Sequence, residues 1–237
     1  MLSVFLLTLR QLSGWQRLAI MAVLAALPLL ATARPLTDND AMPVTEFEMV
    51  VLSGMLAGSI IPLVVLAIAA VAFGNEVEDR TLANLTTSPV PRWKIVLPKL
   101  LATIAVAGPF IAISAMATAH FAFLGDATAT IAVTVGALAA VAMYGALFLW
   151  LGLVSNQAIG IGLLYIVLWE GFFSGFVEGV RLLSIRAYTL AIMHGLDDRR
   201  FSSGGDMSIW VAVGMAAFVV GGSLLLSVRR LRTMDVP

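Results

Sequence analysis

The sequence predicts an all-α protein that crosses a membrane several times, and three observations carry this prediction. Of the 237 residues, 60% are apolar and only 12% are charged, whereas a soluble domain carries about 25% charged residues. The mean hydropathy is +1.00. The apolar residues are gathered into runs long enough for membrane-spanning helices. This composition excludes a soluble enzyme, a disordered chain and a nucleic-acid-binding domain.

Six apolar stretches are candidates for helices that cross the bilayer, which takes roughly 20 residues. They are residues 18–33, 49–73, 95–124, 128–154, a stretch from 158 to at least 169, and 207–228. We expect helices, because lipid offers no partner for an unpaired peptide group. Strands of a membrane barrel would alternate polar and apolar residues, and runs such as 62–71 do not.

Residues 1–17 have a pattern of their own. Apolar side chains recur at helical spacing at Leu2, Phe5, Leu6, Leu9 and Leu12. This pattern predicts a short helix that lies in the cytoplasmic interface ahead of the first span. Residues 31–33 resemble a signal-peptide cleavage site, but a signal peptide usually has a shorter apolar core and a more basic start. We therefore expect the first span to be retained.

The basic residues favour one orientation of these spans. With the N-terminus in the cytoplasm, nine basic residues lie inside and five outside. The inner ones are Arg10, Arg17, Arg80, Arg92, Lys94, Lys99, Arg229, Arg230 and Arg232, and the outer ones are Arg34, Arg181, Arg186, Arg199 and Arg200. The positive-inside rule therefore predicts that both termini are cytoplasmic, which agrees with an even number of spans.

The first outer connection, residues 34–48, is rich in acidic side chains. These are Asp38, Asp40, Glu46 and Glu48. We expect this connection to be a solvated loop that the topology keeps outside. In the second span, Gly54 and Gly58 offer a face for close helix packing, either within the chain or between two copies.

The cytoplasmic segment 74–94 is longer than a connection needs, since most connections take about 4–6 residues. Asn75 is suited to cap a helix, Leu82 and Leu85 would share one face of it, and Ser88-Pro89 would end it. The segment therefore predicts a short amphipathic helix, a break, and a restart into the third span. A plain connection with solvated charges is the alternative, but the length and the ordering residues favour a docking element.

The residues around this segment resemble those of a known family. In order they are Phe73, Glu76, Thr81, Leu82, Leu85, Ser88, Pro89, Val90, Arg92, Ile95 and Lys99. They are similar to the loop after the second span in ABC-2 type transporter permeases, which are the membrane subunits of ATP-driven exporters. Arg80 and Pro98 depart from the family's pattern, which usually has Gly at both positions.

The resemblance implies a single ABC-2 type transmembrane domain over residues 1–237, in the bacterial cytoplasmic membrane. It implies that segment 74–94 couples to a P-loop ABC ATPase subunit, present in two copies, which binds the ATP and Mg. The coupling residues would be Glu76, Glu78, Arg80, Thr81, Leu82 and Leu85. A second permease copy, identical or related, and membrane lipid would be the other partners. The substrate stays unassigned.

The outer segment 170–206 is too long for a turn and too apolar for a loop. Its glycines permit close packing, and such a segment can dip part-way into the membrane when it packs against protein. Members of the family have short re-entrant helices after the fifth span, and residues 182–185, Tyr188 and Gly195 resemble that region.

Residues needed for several kinds of chemistry are missing. The only lysines, Lys94 and Lys99, each follow a Trp or a Pro rather than a P-loop glycine. His120 and His194 have no partner at a metal-ligand spacing, the chain has no cysteine, and no serine lies in a nucleophile elbow. We therefore predict no catalytic residue, no metal site and no cofactor within this chain.

Glu170 and His120 are candidates for the substrate pathway, because ionisable residues within spans are costly. Glu170 either caps the break after the fifth span, by accepting backbone N–H bonds near residues 171–174, or lines the exit of the pathway. The simpler interpretation of His120 is a hydrogen-bonded membrane histidine.

Two other functions stay open. A non-transporting membrane scaffold or assembly subunit could have the same spans, and a neighbouring gene for a P-loop ATPase would favour the permease. An ion-coupled carrier would need several ionisable groups within the spans, and only Glu170 and His120 come near that.

Overall fold

The computed structural model describes residues 2–33, 44–78, 91–173, 183–202, 204–205 and 207–233. In this part of the chain we number eight helices. They are α1 (Leu2–Leu12), α2 (Trp15–Ala33), α3 (44–78), α4 (Trp93–Ala122), α5 (Ala127–Val154), α6 (158–173), α7 (Ile185–Leu196) and α8 (Ile209–Thr233).

Two of these helices change their hydrogen-bonding period along their length. Helix α3 begins with Val44–Phe47, continues as a π-helix over Glu48–Ile60 and ends as an α-helix over Ile61–Glu78. Helix α6 is α-helical over Ala158–Tyr165 and π-helical over Ile166–Phe173. A π-helix pairs residues five apart, is rare beyond a single turn and is frequent at functional sites. No pattern in the sequence predicted either π-helical segment.

Five helices are long and apolar enough to cross a membrane. They are Trp15–Thr32, Thr45–Phe73, Trp93–Ala122, Ala127–Val154 and Ile209–Thr233, and they coincide with five of the six predicted spans. The predicted fifth span matches α6, whose apolar part, Ala158–Phe172, is shorter than the others. The chain is therefore an all-helical, multi-pass membrane protein with five candidate spans in its described part, and a sixth span stays a prediction.

Helix α5 forms the centre of the bundle and packs against α3, α4, α7 and α8. Small residues allow this. A Cβ added to Gly152 of α5 would lie 2.4 Å from the backbone oxygen of Ala70 on α3, so the two backbones are nearly in contact. Helices α2 and α8 lie at the edge, where only 22% and 11% of their most apolar stretches are buried.

The two ends of the bundle can be told apart by their contacts. At one end, the rings of Phe47 and Phe201 each lie 5.5 Å from the ring of Phe123. This end also holds the α4–α5 turn and α7, and we call it the hairpin end. At the opposite end lie the starts of α2 and α4 and the end of α3, and we call it the basic end for the Arg and Lys residues there.

The turn between α4 and α5 follows from its residues. Gly125 adopts a φ of 83°, which costs glycine little because it has no Cβ. Asp126 then caps α5 by accepting hydrogen bonds from the backbone N–H groups of Thr128 and Ala129, at 3.0 and 3.5 Å. This cap satisfies donors that a helix start otherwise leaves unpaired.

One predicted helix start is wrong. Asn75 was expected to begin a new helix, but α3 runs through it to Glu78. Continuing an established helix gains a hydrogen bond per residue, whereas starting another requires a new nucleus. Glu76 and Glu78 therefore lie in the last turns of α3, and their side chains are outside the described part. Arg80, Thr81, Leu82, Leu85 and the break at Ser88-Pro89 also lie outside the described residues.

Helix α1 is separate from α2 and packs against α4 and α3. It buries Thr8 and Leu12, while Leu2, Leu6 and Leu7 are exposed. Arg17 donates a hydrogen bond from Nη1 to the backbone oxygen of Gln11 near the end of α1, at 3.3 Å. The helix covers most of the segment 1–17, and its location in the membrane interface stays a prediction.

Candidate functional site

Glu170 is a carboxylate buried inside the bundle, in the π-helical part of α6, with 0% of its surface exposed. Its Oε1 accepts hydrogen bonds from the Tyr165 hydroxyl and the Ile185 backbone N–H, both at 3.0 Å. Its Oε2 accepts from the Ser184 hydroxyl at 2.5 Å and from the Arg186 backbone N–H at 3.4 Å. Two donors on each oxygen use the hydrogen-bonding capacity of an ionised carboxylate.

These contacts make Glu170 a cap for the first turn of α7. Ser184 takes part, because its hydroxyl oxygen also accepts a bond from the Ala187 N–H at 3.3 Å. A negative charge is favourable at the positive N-terminal end of a helix. The predicted position of the cap was wrong, since α6 does not break at Gly171 but continues to Phe173. The capped helix begins 15 residues after Glu170.

Arg186 joins three helices next to this cap. Its Nε donates to the Ser53 hydroxyl in the π-helical part of α3 at 3.0 Å, and its Nη1 donates to the backbone oxygen of Glu170 at 3.3 Å. The side chain crosses Gly58, where an added Cβ would lie 3.4 Å from Arg186 Cδ. The close-packing face that includes Gly58 is therefore occupied from within the chain.

Glu48 is a second buried carboxylate, at the start of the π-helical part of α3, and is 1% exposed. Its Oε2 accepts hydrogen bonds from the Ser202 backbone N–H at 3.1 Å and from the Ser202 hydroxyl at 3.0 Å. The expectation of a solvated loop over 34–48 was therefore wrong for Glu48. Each π-helical segment thus holds one flank of α7, through Glu170 before it and Glu48 after it.

Aromatic rings pack beside Glu170. Tyr144 of α5 is fully buried and stacks on Phe148 at 5.7 Å, and Phe148 meets the edge of Tyr165 at 6.2 Å. The Tyr144 hydroxyl faces the Glu170 carboxylate but makes no hydrogen bond of good geometry within the described residues. Nothing in the sequence signalled Tyr144, because a Tyr in a long apolar run resembles any other core residue.

His120 lies apart from Glu170. It is exposed at the end of α4, its ring contacts the Phe121 ring, and a Cβ added to Gly125 in the α4–α5 turn would lie 3.5 Å from its Cε1. The structure therefore does not bring the two predicted pathway residues together. Within the described residues, no three His, Cys, Asp or Glu side chains are grouped to hold a metal ion.

The hairpin end carries a polar cleft of about 350 Å³. It is lined by Asp126, Thr128, Leu196, Asp197, Asp198, Arg199 and Arg200. Arg200 Nη2 forms an ion pair with Asp126 Oδ2 at 2.9 Å. Desolvation raises the pKa of Asp126, but the N–H groups of Thr128 and Ala129 and the Arg200 guanidinium together outweigh it, so this pKa lies below its ordinary value.

At the basic end, two residues of the sequence motif meet at the base of segment 74–94. The Lys99 ammonium donates a hydrogen bond to the backbone oxygen of Ala72 and lies 4.3 Å from the centre of the Phe73 ring. Lys99 is 1% exposed. The ends of α3 and α4 that flank the segment are therefore joined side by side.

Comparison with known families decides the identity of the chain. The sequence profile described as ABC-2 family transporter protein matches residues 10–185, about three quarters of the chain. The chain belongs to the ABC-2 transporter family. This match confirms the family that the residues between Phe73 and Lys99 suggested. A search among curated proteins finds no match.

As a member of this family, the protein is a membrane permease of an ABC transporter. ABC-2 permeases are non-catalytic membrane subunits that generally work with an ATPase subunit. The matched region of this permease includes both π-helical segments, Glu170 and the start of α7. Glu170, Tyr165, Ser184 and Ile185 of the capping network therefore lie within the part of the permease that the family profile covers, whereas Arg186 and Ala187 follow it directly.

Proposed function

We propose that this permease is the transmembrane subunit of an ABC exporter in the bacterial cytoplasmic membrane. It moves a substrate outward with energy from ATP and Mg bound by a separate ATPase subunit. The observation that carries this proposal is the family match over residues 10–185, together with the motif residues at the base of segment 74–94. The two nucleotide-binding subunits dock at the basic end.

The distribution of charge supports an arrangement with both termini in the cytoplasm. Eight described basic residues lie at the basic end, and three lie at the hairpin end. The first group is Arg10, Arg17, Arg92, Lys94, Lys99, Arg229, Arg230 and Arg232, and the second is Arg186, Arg199 and Arg200. The positive-inside rule then makes the basic end cytoplasmic. In this arrangement α6 crosses as the fifth span, and α7 belongs to a re-entrant outer hairpin over 170–206.

Thiol labelling tests this topology. The chain has no cysteine, so single cysteines at positions 40 and 233 can be probed in whole cells with an impermeant reagent. We expect labelling at 40 and protection at 233. Labelling at 233 with protection at 40 would overturn the orientation.

Docking of the ATPase is assigned to segment 74–94. Glu76, Glu78, Arg80 and Thr81 supply polar contacts, and Leu82 and Leu85 supply the apolar ones. Burial of two leucines contributes roughly 3–6 kcal/mol before the costs of association, which is enough to make these side chains decisive. The ends of α3 and α4 hold the segment on a rigid base.

Co-purification tests the docking. The double change Leu82→Asp with Leu85→Asp should release the ATPase while the permease stays folded in detergent. Thr87→Asp is the matched control, because it adds a charge to the same segment and, if the segment forms the predicted helix, at a position on the face opposite the two leucines. If the double variant retains the ATPase and full transport, the assignment fails.

Two permease copies form the transport unit in this proposal, with the pathway between them. One bundle has little room for an internal route, because α5 fills its centre with close backbone contacts such as Gly152 against Ala70. Cross-linking of active complexes should give a permease dimer. Active complexes with a single permease copy would refute it.

A further inference from the structure

Lys99 is a cation buried in the second turn of α4, and its ammonium contacts Ala72 and Phe73 of helix α3. The ammonium donates a hydrogen bond to the backbone oxygen of Ala72 and lies 4.3 Å from the centre of the Phe73 ring. Ala72 precedes Lys99 by 27 residues. Helix α3 continues from these two residues through the start of segment 74–94 to Glu78, and α4 begins at Trp93, shortly before Lys99. The contact therefore closes the base of the segment.

A buried ammonium is an expensive way to fill this space. Removing a charge from water costs free energy unless hydrogen bonds and favourable charge interactions offset it, and a well-packed apolar side chain often serves stability as well. Lys99 has both a carbonyl acceptor and an aromatic face, and the attraction of a cation to a ring strengthens when both are desolvated. The hydrogen bond from Lys99 to Ala72 is directional, so it also fixes the position of α4 relative to α3 along the helix axes.

Apolar side chains also pack where the ends of α3 and α4 meet. Phe73, Ile95, Val96 and Leu100 are buried there. Apolar contacts are not directional, so they resist separation of the helices more than sliding. The bond from Lys99 to Ala72 resists sliding as well. The Thr103 hydroxyl donates to the Lys99 backbone oxygen at 3.0 Å, one turn further into α4.

We propose that Lys99 is a positioning residue that fastens α3 to α4 at the base of segment 74–94, so that the two helices move as one body. A partner that displaces the segment then moves both helices along their full length instead of bending the joint. This inference rests on the proposed function, because it requires an ATPase that docks on the segment.

The isolated permease allows a first test, because the chain has only two lysines, Lys94 and Lys99. Lys94 is partly exposed and lies 5.7 Å from the ring of its neighbour Trp93. An amine-acylating reagent followed by mass spectrometry should modify Lys94 at least about tenfold faster, because protection reports a closed contact. If Lys99 is acylated as fast as Lys94, the contact between Lys99 and α3 is not closed, and the proposal fails.

The full complex with the ATPase provides the decisive test. Spin labels at Leu124→Cys and Trp210→Cys, both exposed at the hairpin end, report the distance between the α4–α5 turn and the start of α8, the helix at the edge of the bundle. We expect nucleotide trapping to shift this distance in the otherwise wild-type chain. Lys99→Met should reduce the shifted population at least about fivefold, the low end of coupling between distant sites. ATPase binding, basal ATP hydrolysis and the unfolding temperature should stay unchanged.

Lys94→Met is the matched control and should retain the full shift. An undiminished shift in Lys99→Met overturns the proposal, as does a wild-type complex that binds the ATPase and shows no shift. A wild-type chain that does not bind the ATPase instead contradicts the proposed function. If Lys99→Met does not accumulate, Lys99→Gln removes the charge and shortens the side chain by one atom, which weakens both the bond to Ala72 and the contact with the Phe73 ring. A full shift in that variant overturns the proposal.

Discussion

The Glu170 carboxylate accepts a hydrogen bond from the Ile185 backbone N–H at 3.0 Å, so a side chain of α6 caps the first turn of α7. Glu48 binds Ser202 on the far side of α7 in the same way, with both bonds near 3.0 Å. Both carboxylates come from π-helical segments. The position of α7 over the bundle is therefore set by two buried acids rather than by apolar packing alone.

Replacement of Glu170 should separate a structural role from a role in transport. Glu170→Leu leaves the N–H groups of Ile185 and Arg186 without an acceptor, at a cost of about 1–3 kcal/mol for each unsatisfied donor. We expect loss of folded protein, measured by size-exclusion chromatography and thermal unfolding in detergent. Glu170→Gln keeps one acceptor oxygen and should be milder.

The export assay gives the contrary outcomes for Glu170. If the capping role is the whole of its contribution, the folded fraction of Glu170→Gln exports normally. Normal folding with altered export or substrate preference in Glu170→Gln would show a role in the pathway. Normal folding and export in both variants would leave neither role standing.

Removal of the Ser53 hydroxyl should destabilise the permease. Ser53 is buried and accepts the bond from Arg186 Nε at 3.0 Å, so Ser53→Ala leaves part of a guanidinium unsatisfied, at about 1–3 kcal/mol. Ser59→Ala is the control in the same π-helical segment, because Ser59 is exposed and its hydroxyl bonds only its own helix, at Gly54. We expect a change within about 0.5 kcal/mol for it. Equal unfolding temperatures for the two variants would contradict the role of Arg186.

The ion pair at the hairpin end should make stability depend on pH. The pKa of Asp126 is lowered in the folded chain, so its contribution is fully present above the unfolded value of about 3.9 and is lost as pH falls through the lower folded value. Asp126→Asn keeps a capping oxygen and loses the charge. The wild type should unfold at a higher temperature than this variant near neutral pH, and the difference should vanish in strong acid.

Asp198→Asn is the control for this pH dependence, since Asp198 lines the same cleft and is exposed. The unfolding temperature of Asp198→Asn should equal that of the wild type at every pH. If the difference in unfolding temperature between the wild type and Asp126→Asn grows as the pH falls, the lowered pKa of Asp126 is not its cause, and the interpretation is contradicted.

The contact between α5 and α3 should not tolerate one added methyl group. An added Cβ at Gly152 would lie 2.4 Å from the Ala70 backbone oxygen, and backbone cannot move aside as a flexible side chain can. Gly152→Ala should cost about 1–3 kcal/mol. Gly160→Ala on α6 meets nothing within 4 Å and should stabilise by up to about 1 kcal/mol. Unfolding temperatures that move in the same direction would refute this contrast.

The sequence was sufficient to predict five spanning helices, but not to predict the partners of the two buried carboxylates. Apolar runs predict a spanning helix from composition alone, and five predicted spans coincide with such helices. Glu48 looked solvated because it follows several polar residues, and its partner Ser202 is 154 residues away. No local pattern reports a pairing over that distance.

Glu170 shows the same limit in part. The cost of a charge inside an apolar stretch predicted that Glu170 faces protein or water, and its place at an expected helix break predicted a cap, with a role in the pathway as the alternative. The capped helix could not be identified, because that depends on α6 continuing as a π-helix to Phe173. Hydropathy carries no information on whether backbone bonds join residues four or five apart.

The most direct test of the permease's function is ATP hydrolysis by its complex with the ATPase in proteoliposomes, measured with and without a panel of candidate compounds. We expect the permease alone to hydrolyse no ATP. The complex should hydrolyse it faster with at least one compound, and that compound should cross the membrane. A folded permease that never associates with an ABC ATPase, or a complex whose ATP hydrolysis moves nothing, would contradict transport and favour a scaffold.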